Sequence, residues 1–292
     1  MKLKFGLPKG SLQESTFALM ASAGYRVSLP SSRSYFPRSD DPELDFVLLR
    51  PQEMPRYIAV GALDAGLTGR DWVMENDVDL EVICELVYAK QTLNPVRWVL
   101  AVPNDSPFAK PEDLAGRRVA TELVGVTRRW FAQRNVPVEV EFSHGATEVK
   151  VPHLADAIVD VTETGSSLKA HNLRIIDTVI ESVTQLVAAP EAAADKAKRA
   201  KLECMALLLK GAIIAREKVG LKLNVAKGDL EAVLKILPAM RRPTVSPLID
   251  GGDEWFAVES MVDETVVRDI VPALKKAGAE GIIEYPLNKV IP

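Results

Sequence analysis

The 292-residue sequence has little cysteine, few aromatic residues and only three histidines. Cys84 and Cys204 lie far apart in the chain, so no Cys-x-x-Cys metal or redox motif is present, and two reduced, buried thiols are expected. The histidines, His144, His153 and His171, do not show the i, i+4 spacing of a zinc-binding helix. We therefore interpret each histidine as a surface or supporting residue rather than as a metal ligand or a catalytic base.

Long hydrophobic runs and a strong excess of one charge are also missing. No stretch of about 18 apolar residues occurs, so no membrane span is expected. The first residues show no apolar run behind basic residues, so no signal peptide is expected and a cytoplasmic protein is predicted. The formal net charge of −4 argues against a surface that coats nucleic acid. A chain of this length can form two or three domains with sizeable cores.

What the sequence does contain is a regular alternation of strand-like and helix-like segments, which predicts an α/β protein with mainly parallel sheets. Helices are predicted near 10–23, 53–60, 70–75, 111–115, 124–134, 147–155 and 166–172. From Pro190 to about Glu217 a composition of Ala, Lys, Glu and Leu predicts a long connecting helix, with a break at Gly211. Its basic side chains, at 196–201, have two interpretations: an anion-binding face or, more plainly, a solvated one.

One strand, near 157–161, leads into a turn in which four hydroxyl residues surround a glycine. The turn consists of Thr162, Glu163, Thr164, Gly165, Ser166 and Ser167, and a helix-compatible segment follows it. Backbone N–H groups at such a junction, together with the helix dipole, suit the phosphate of a monoester. The acids Asp156, Asp160 and Glu163 would repel phosphate but suit sugar hydroxyls or a bridging Mg2+. Taken alone, the turn is equally compatible with simple helix capping.

This segment resembles the phosphoribosyl-pyrophosphate (PRPP) loop of the ATP phosphoribosyltransferase family. The resemblance consists of an acid at Glu148, an Asp-Ala-Ile-x-Asp strand at 156–160 and a Thr-Gly-Ser-Ser-Leu loop at 164–168. The hydroxyl residue Ser167 stands where Thr is usual. Further motifs at 3–12, 48–51, 61–71 and 243–248 stand in the order of the family. Several separated motifs in order are far more specific than any one of them.

The resemblance implies transfer of the phosphoribosyl group of PRPP to N1 of ATP, with Mg2+ held mainly by the substrate phosphates. It implies catalytic roles for Asp160 and Glu148. PRPP would be bound by Asp156, Asp160, Thr162, Thr164, Gly165, Ser166 and Ser167. We assign ATP binding to Lys9, Gly10, Ser11, Arg50, Asp71 and Arg97, although a solvated lysine or structural ion pairs could also explain the cations. The alternative from another class is a non-catalytic, two-lobed small-molecule binding protein.

The resemblance also implies the architecture, a bilobal, periplasmic-binding-protein-like catalytic core. Residues 1–92 with 180–217 would form lobe I and residues 93–179 lobe II, with crossings near 90–95 and 177–183. The pattern after 218 reads as strand, helix, two strands, helix and strand, which predicts a ferredoxin-like (βαββαβ) module over 218–292.

In the long form of the family this module is regulatory and binds histidine as a feedback inhibitor. We expect the ligand to contact Asn224, Thr244 and Ser246. The resemblance further implies a homo-oligomer that exchanges between dimer and hexamer.

Overall fold

The computed structural model describes residues 2–89, 93–238, 242–249 and 254–292. The chain divides into two compact units, residues 1–206 and 207–292. The second unit thus begins inside the long connecting helix, eleven residues before the predicted boundary at 218. Within the described residues, no helix is long and apolar enough to cross a membrane.

The first unit contains two five-stranded sheets. Its first half comprises β1 (Leu3–Pro8), α1 (Gln13–Ala23), β2 (Val27–Ser28), β3 (Arg38–Ser39), β4 (Leu44–Leu49), α2 (Met54–Ala59), β5 (Ala65–Gly69), α3 (Arg70–Asn76) and β6 (Glu81–Leu86). Its second half comprises β7 (Val96–Pro103), β8 (Arg118–Thr121), α4 (Val124–Gln133), β9 (Glu139–Phe142), β10 (Ala157–Thr162), α5 (Ser166–Ala170), β11 (Leu173–Ser182), β12 (Thr184–Ala188) and α6 (Pro190–Ala194). Helix α7 (Lys196–Ala215) then runs across the division between the units.

The two sheets form the two lobes. The strand order in lobe I is β4-β1-β5-β12-β6, and the order in lobe II is β11-β7-β10-β8-β9. In lobe I, β1 pairs in parallel with β4 and β5, and β12 joins antiparallel after the chain returns from lobe II. Buried apolar side chains fill each sheet, among them Phe5 and Phe46 in lobe I and Leu100 and Val159 in lobe II. The predicted bilobal, periplasmic-binding-protein-like core is confirmed.

The return crossing lies within the predicted range 177–183, but lobe I resumes later than the predicted residue 180. Strand β11 pairs with β7 as far as Ser182 opposite Val96, so residues 180–182 belong to lobe II rather than lobe I. The return crossing is therefore the single residue Val183. The first crossing was predicted near 90–95, and residues 90–92 of it lie outside the described residues.

Two predicted helical features are wrong. The helix expected over 147–155 is a single 3-10 turn, Thr147–Lys150, because Pro152 has no amide hydrogen to continue it. The break expected at Gly211 lies instead at Asp195, whose carboxylate accepts the N–H groups of Ala197 and Lys198 at 2.9 and 3.0 Å and so caps α7. The free thiols also differ from each other, since Cys84 is buried and Cys204 is exposed.

Three of the four basic side chains at 196–201 pair with carboxylates of lobe I, whereas Lys196 is exposed. The three paired side chains dock the helix on acids of lobe I through the pairs Lys198–Asp64 (2.6 Å), Lys201–Asp41 (2.6 Å), Lys201–Glu43 (2.8 Å) and Arg199–Glu81 (3.2 Å). The solvated-face interpretation holds for Lys196 alone, because the acids that meet the other three side chains come from distant parts of the sequence.

The second unit has the predicted ferredoxin-like order. Its elements after α7 are β13 (Lys218–Ala226), α8 (Leu230–Ile236), β14 (Thr244–Pro247), β15 (Trp255–Asp263), α9 (Glu264–Lys276) and β16 (Glu280–Pro286). The strand order is β14-β15-β13-β16 with every pairing antiparallel. The apolar face of the sheet, including Leu221, Leu223 and Val258, packs in one core with Val233 of α8 and Leu274 of α9.

Candidate active site

A cavity of about 430 Å3 lies between the lobes of the first unit. Lobe I lines it with the turn after β1, the end of β4 and the start of α3. Lobe II lines it with the end of β10, and both sides of the Val183 crossing complete the wall. This volume is typical of a small-molecule site, and its position gives both lobes access to one ligand.

Lobe I supplies positive charge to the cavity. Lys9, Gly10 and Ser11 follow β1, and the Lys9 N–H donates to the Leu49 carbonyl at 2.7 Å, which fixes the start of the turn. Gly10 has φ +103°, a conformation that side-chain-bearing residues rarely adopt. Arg50, directly after β4, lines the same cavity. The cations Lys9 and Arg50, beside a turn whose glycine leaves the backbone N–H groups approachable, form a suitable surface for phosphate groups.

The ammonium of Lys9 is held by an aromatic ring. Its Nζ lies 3.6 Å from the ring centroid of Tyr35, an arrangement stabilised by the quadrupole of the ring. A hydrogen bond from Lys9, followed by its charge, lowers the pKa of the Tyr35 phenol. Tyr35 thus limits where the lysine can reach, and sequence reasoning gave no sign of this contact.

Lobe II supplies acids and hydroxyls. Asp160 lines the cavity at the end of β10, and burial raises its pKa to about 7, with the charges of Glu148 and Glu122 adding to the rise. A hydrogen bond from the Val161 N–H to Oδ1, 2.8 Å long, opposes that rise. Near neutral pH this side chain is therefore divided between its acid and carboxylate forms, and it can donate to or accept from a sugar hydroxyl.

The hydroxyl-rich turn is ordered by its own hydrogen bonds. The Gly165 N–H donates to Thr162 Oγ1 at 2.7 Å, and Gly165 has φ +79° with open space where a Cβ would stand. Thr164 Oγ1 donates to Ser166 Oγ at 3.0 Å. Of this turn, Thr162 and Glu163 line the cavity, while residues 164–167 continue from there into α5. The glycine leaves the backbone approachable, as a phosphate site requires.

Glu148 reaches the turn from a separate element. Its Oε1 accepts a hydrogen bond from Ser167 Oγ at 2.5 Å, and this bond lowers the pKa of Glu148. The ring of His171 contacts the carbonyl of Ser167 through Nδ1 at 2.9 Å. The structure therefore places Glu148 against Ser167 of the turn and not in the cavity lining.

Besides Glu148 and residues 164–167, two further assigned residues do not line the cavity. Asp156 stands before β10, about 13 Å along the strand from Asp160, where it accepts the Arg118 N–H at 2.9 Å. Arg97 alternates on β7 with Val96 and Trp98, which line the cavity, so its side chain leaves the opposite face of the strand. Asp156 was assigned because it belongs to the motif at 156–160, and Arg97 because it adjoins an apolar strand end.

Asp71 lies at the cavity, but its carboxylate is already engaged. It is 5% exposed, and it accepts from Trp98 Nε1 at 2.6 Å and from the Trp72 N–H at 3.0 Å. Burial raises its pKa, and the bond from Trp98 opposes the rise. A Cβ at Gly69 would stand 2.0 Å from Asp71 Oδ1, so the glycine makes room for this carboxylate. Asp71 connects the lobes rather than presenting free oxygens to ATP.

Sequence reasoning missed the aromatic part of the wall. Tyr88, Trp72 and Trp98 line the cavity, and the two tryptophan rings meet edge to face with centroids 5.7 Å apart. Glu122, at the end of β8, also lines it. For Tyr88 and Glu122 the available signal was a position at the carboxyl end of a strand, where side chains of an α/β sheet meet ligands.

Comparison with known proteins agrees with this geometry. The family model described as ATP phosphoribosyltransferase matches residues 50–211. The chain belongs to the ATP phosphoribosyltransferase family. A second model, the HisG C-terminal domain, matches residues 215–289, which makes the chain a long-form member.

Similar proteins cover the whole chain. An ATP phosphoribosyltransferase of Pelotomaculum thermopropionicum is 56% identical over 292 residues, all of both chains. One from Koribacter versatilis is 57% identical over 291 residues, again with full coverage of both. Among solved structures, the ATP phosphoribosyl transferase (HisG:HisZ) complex of Thermotoga maritima matches with a TM-score of 0.61 and 27% identity, covering 72% of this chain and 97% of that one. The resemblance deduced from the motifs is confirmed.

Proposed function

We propose that the cavity between the lobes binds PRPP and ATP together. The chain catalyses the reaction of its family, transfer of the phosphoribosyl group of PRPP to N1 of ATP, the first step of histidine biosynthesis. The observation that carries the proposal is the meeting of two unlike surfaces in one cavity. Lobe I brings cations and lobe II brings a hydroxyl turn with an acid.

PRPP is assigned to lobe II. The 5′-phosphate would accept from backbone N–H groups and hydroxyls of the Thr162–Ser167 turn, where Gly165 leaves the approach open. Asp160, with a pKa of about 7, would face the ribose hydroxyls. Glu148 supports the turn through Ser167. In this assignment N–H and hydroxyl groups hold the 5′-phosphate, and the carboxyl group of Asp160 lies at the ribose.

ATP is assigned to lobe I and the aromatic wall. Lys9 and Arg50 would hold the triphosphate beside the backbone of Gly10 and Ser11. Trp72, which lines the cavity and is only partly buried, would offer apolar surface to the adenine ring. This arrangement directs the base toward the ribose on lobe II.

The chemistry needs positioning more than acid–base groups. The N1 lone pair of adenine forms a bond to C1 of the ribose while the C1–O bond to pyrophosphate breaks. The departing pyrophosphate gains negative charge, which Lys9 and Arg50 stabilise from fixed positions. Neutralising the negative charge of the ATP triphosphate and of the departing pyrophosphate reduces the repulsion between them. Less free energy is then needed to bring the two substrates together.

The cavity also fits Mg2+ of the kind that substrate phosphates carry. The described residues contain no group of three or more side chains that could hold a metal alone. Mg2+ in phosphate sites commonly uses only one or two carboxylates, and Asp160 and Glu163, which line the cavity, would supply them. When bound, the ion supplies charge neutralisation to the pyrophosphate.

Pyrophosphate release tests the assignment. PRPP is mixed with ATP, with ADP or with free bases, and a reaction without PRPP serves as the control. Release that depends on PRPP and occurs only with ATP supports the proposal. Absence of release with every acceptor would favour the two-lobed binding protein.

The second unit is assigned to regulation by histidine. Register places Asn224, Ala257 and Ser246 side by side across β13, β15 and β14, with Thr244 opposite Glu259 in the next row. Of these, the four polar residues are exposed, on the sheet face away from α8 and α9. Hydroxyl, amide and carboxylate groups in two adjacent rows suit the ammonium and carboxylate of an amino acid.

Histidine binding would act by favouring one of two states of the protein. We assign these states to a homo-oligomer that exchanges between dimer and hexamer. Sedimentation of the intact protein with and without histidine tests this: a histidine-dependent change in the dimer and hexamer populations supports it, and identical distributions contradict it.

Calorimetry tests the histidine site itself. Thr244→Val is expected to weaken histidine binding, whereas Thr265→Val, at an exposed position on α9, is expected to leave it unchanged. Equal binding by both variants would remove Thr244 from the site. Absence of histidine binding by the intact protein would remove the regulatory assignment.

A further inference from the structure

A carboxylate of lobe I caps a helix of lobe II. Glu75, near the end of α3, accepts the backbone N–H of Gly125 through Oε1 at 2.8 Å and that of Val126 through Oε2 at 2.9 Å. These amides belong to the first turn of α4, where helix N–H groups have no partner within the helix. The residues joined by this cap are 50 and 51 positions apart in the sequence and lie in different lobes.

Helix α4 has no cap of its own. Leu123 occupies the N-cap position and makes no side-chain capping bond, although Ser, Thr, Asp or Asn is usual there. The first turn of α4 is therefore completed only when lobe I is in place. The negative charge of Glu75 at the positive end of the α4 dipole adds to the attraction.

Further contacts join the same two helices. Arg129 of α4 donates through Nη2 to the carbonyl of Met74 at 2.5 Å. Asp71 lies one turn before Glu75 on α3, and it accepts from Trp98 of lobe II at 2.6 Å. Residues at i and i+4 share one face of a helix. Asp71 and Glu75, one helical turn apart on the same face of α3, thus both accept hydrogen bonds from lobe II. Arg129 of lobe II adds a third hydrogen bond near the end of α3.

This contact is adjacent to the cavity but outside it. Asp71, Trp72 and Trp98 line the cavity, whereas Glu75, Gly125 and Arg129 do not. A change at Glu75 therefore alters the angle between the lobes without removing a ligand contact. Since the proposed site places PRPP on one lobe and ATP on the other, the angle sets the distance between N1 and C1.

We propose that Glu75 is a positioning residue that fixes the closure of the lobes and thereby the alignment of the two substrates. The inference rests on the proposed function of the cavity. Misalignment by about 1 Å costs on the order of 100-fold in rate, so the effect should appear in kcat. Binding of each substrate to its own lobe should change much less.

The test compares Glu75→Ala with a matched control, Glu112→Ala, which removes an exposed glutamate from the 3-10 turn Pro111–Leu114 of lobe II. Glu75→Ala is expected to lower kcat by about 10-fold or more, with KM for ATP and for PRPP changed less than about 3-fold. Glu75→Gln keeps one acceptor and should recover part of the loss. Glu112→Ala should behave as wild type.

A second variant guards against simple unfolding. A Cβ at Gly125 would stand 3.2 Å from Glu75 Oε2 and 3.3 Å from Arg129 Nη1, so Gly125→Ala displaces both groups while raising helix propensity. We expect a folded protein with reduced kcat and altered near-ultraviolet dichroism from the Trp72–Trp98 pair. A kcat within 2-fold of wild type in folded Glu75→Ala and Gly125→Ala proteins would overturn the inference. An inactive wild-type enzyme would instead refute the proposed function.

Discussion

Asp160 should make the fold less stable as the pH rises. Its pKa is raised from 3.8 to about 7 in the folded protein because burial disfavours the charged form. The unfolded chain therefore loses this proton near pH 4, while the folded protein keeps it until about pH 7. Between those values each pH unit lowers the free energy of unfolding by about 1.4 kcal/mol. The full cost, about 4 kcal/mol, is present above the folded pKa.

The perturbation is Asp160→Asn, which preserves shape and removes the charge. Relative to wild type, the variant should gain about 2 to 3 kcal/mol in stability between about pH 5 and about pH 8, while losing phosphoribosyl transfer. A side chain that weakens the fold in the pH range where the enzyme works is typical of a functional site. Asp45→Asn, at an exposed position of β4, is the matched control and should show no such pH-dependent gain.

Urea unfolding of the full chain, at matched protein concentration, measures the difference in stability between Asp160→Asn and wild type at about pH 5 and about pH 8. Matched concentration matters because subunit association also contributes to apparent stability. The reasoning is refuted if Asp160→Asn and wild type differ in stability by the same amount at both pH values. That result would mean that the Asp160 carboxyl titrates as it does in the unfolded chain.

Three other outcomes are expected from single sites. Gly165→Val, forced into φ +79°, should raise KM for PRPP at least 10-fold with KM for ATP nearly unchanged, and steady-state kinetics that show normal PRPP dependence would contradict it. Tyr35→Leu removes the ring over Lys9 and should raise KM for ATP by about 2- to 5-fold. Tyr35→Phe keeps the ring and should not; equal values for the two variants would exclude the ring contact. Lys201→Met leaves two lobe I acids unpaired and should cost about 2 kcal/mol in urea unfolding with kcat unchanged; wild-type stability would show that the pairs contribute nothing.

Local sequence patterns were sufficient to predict much of the fold. The buried apolar segment near 157–161 was recognised as a strand because an exposed position would leave its apolar side chains in water. The PRPP turn was recognised because hydroxyls, a glycine and a following helix stand next to one another in sequence. One wrong prediction was the helix over 147–155. The structure has only the single turn Thr147–Lys150 there, because Pro152 cannot continue a helix.

The sequence by itself thus determined the element order, the ferredoxin-like module and the turns that suit phosphate, since each depends on residues within a few positions of one another. Only the tertiary structure decided which side chains share a site. Asp71 is bound by Trp98, α7 is held by lobe I acids, and α4 is capped by Glu75. Each contact joins residues far apart in the chain, so its partner is selected by packing and by the need to satisfy buried polar groups, which no local pattern records.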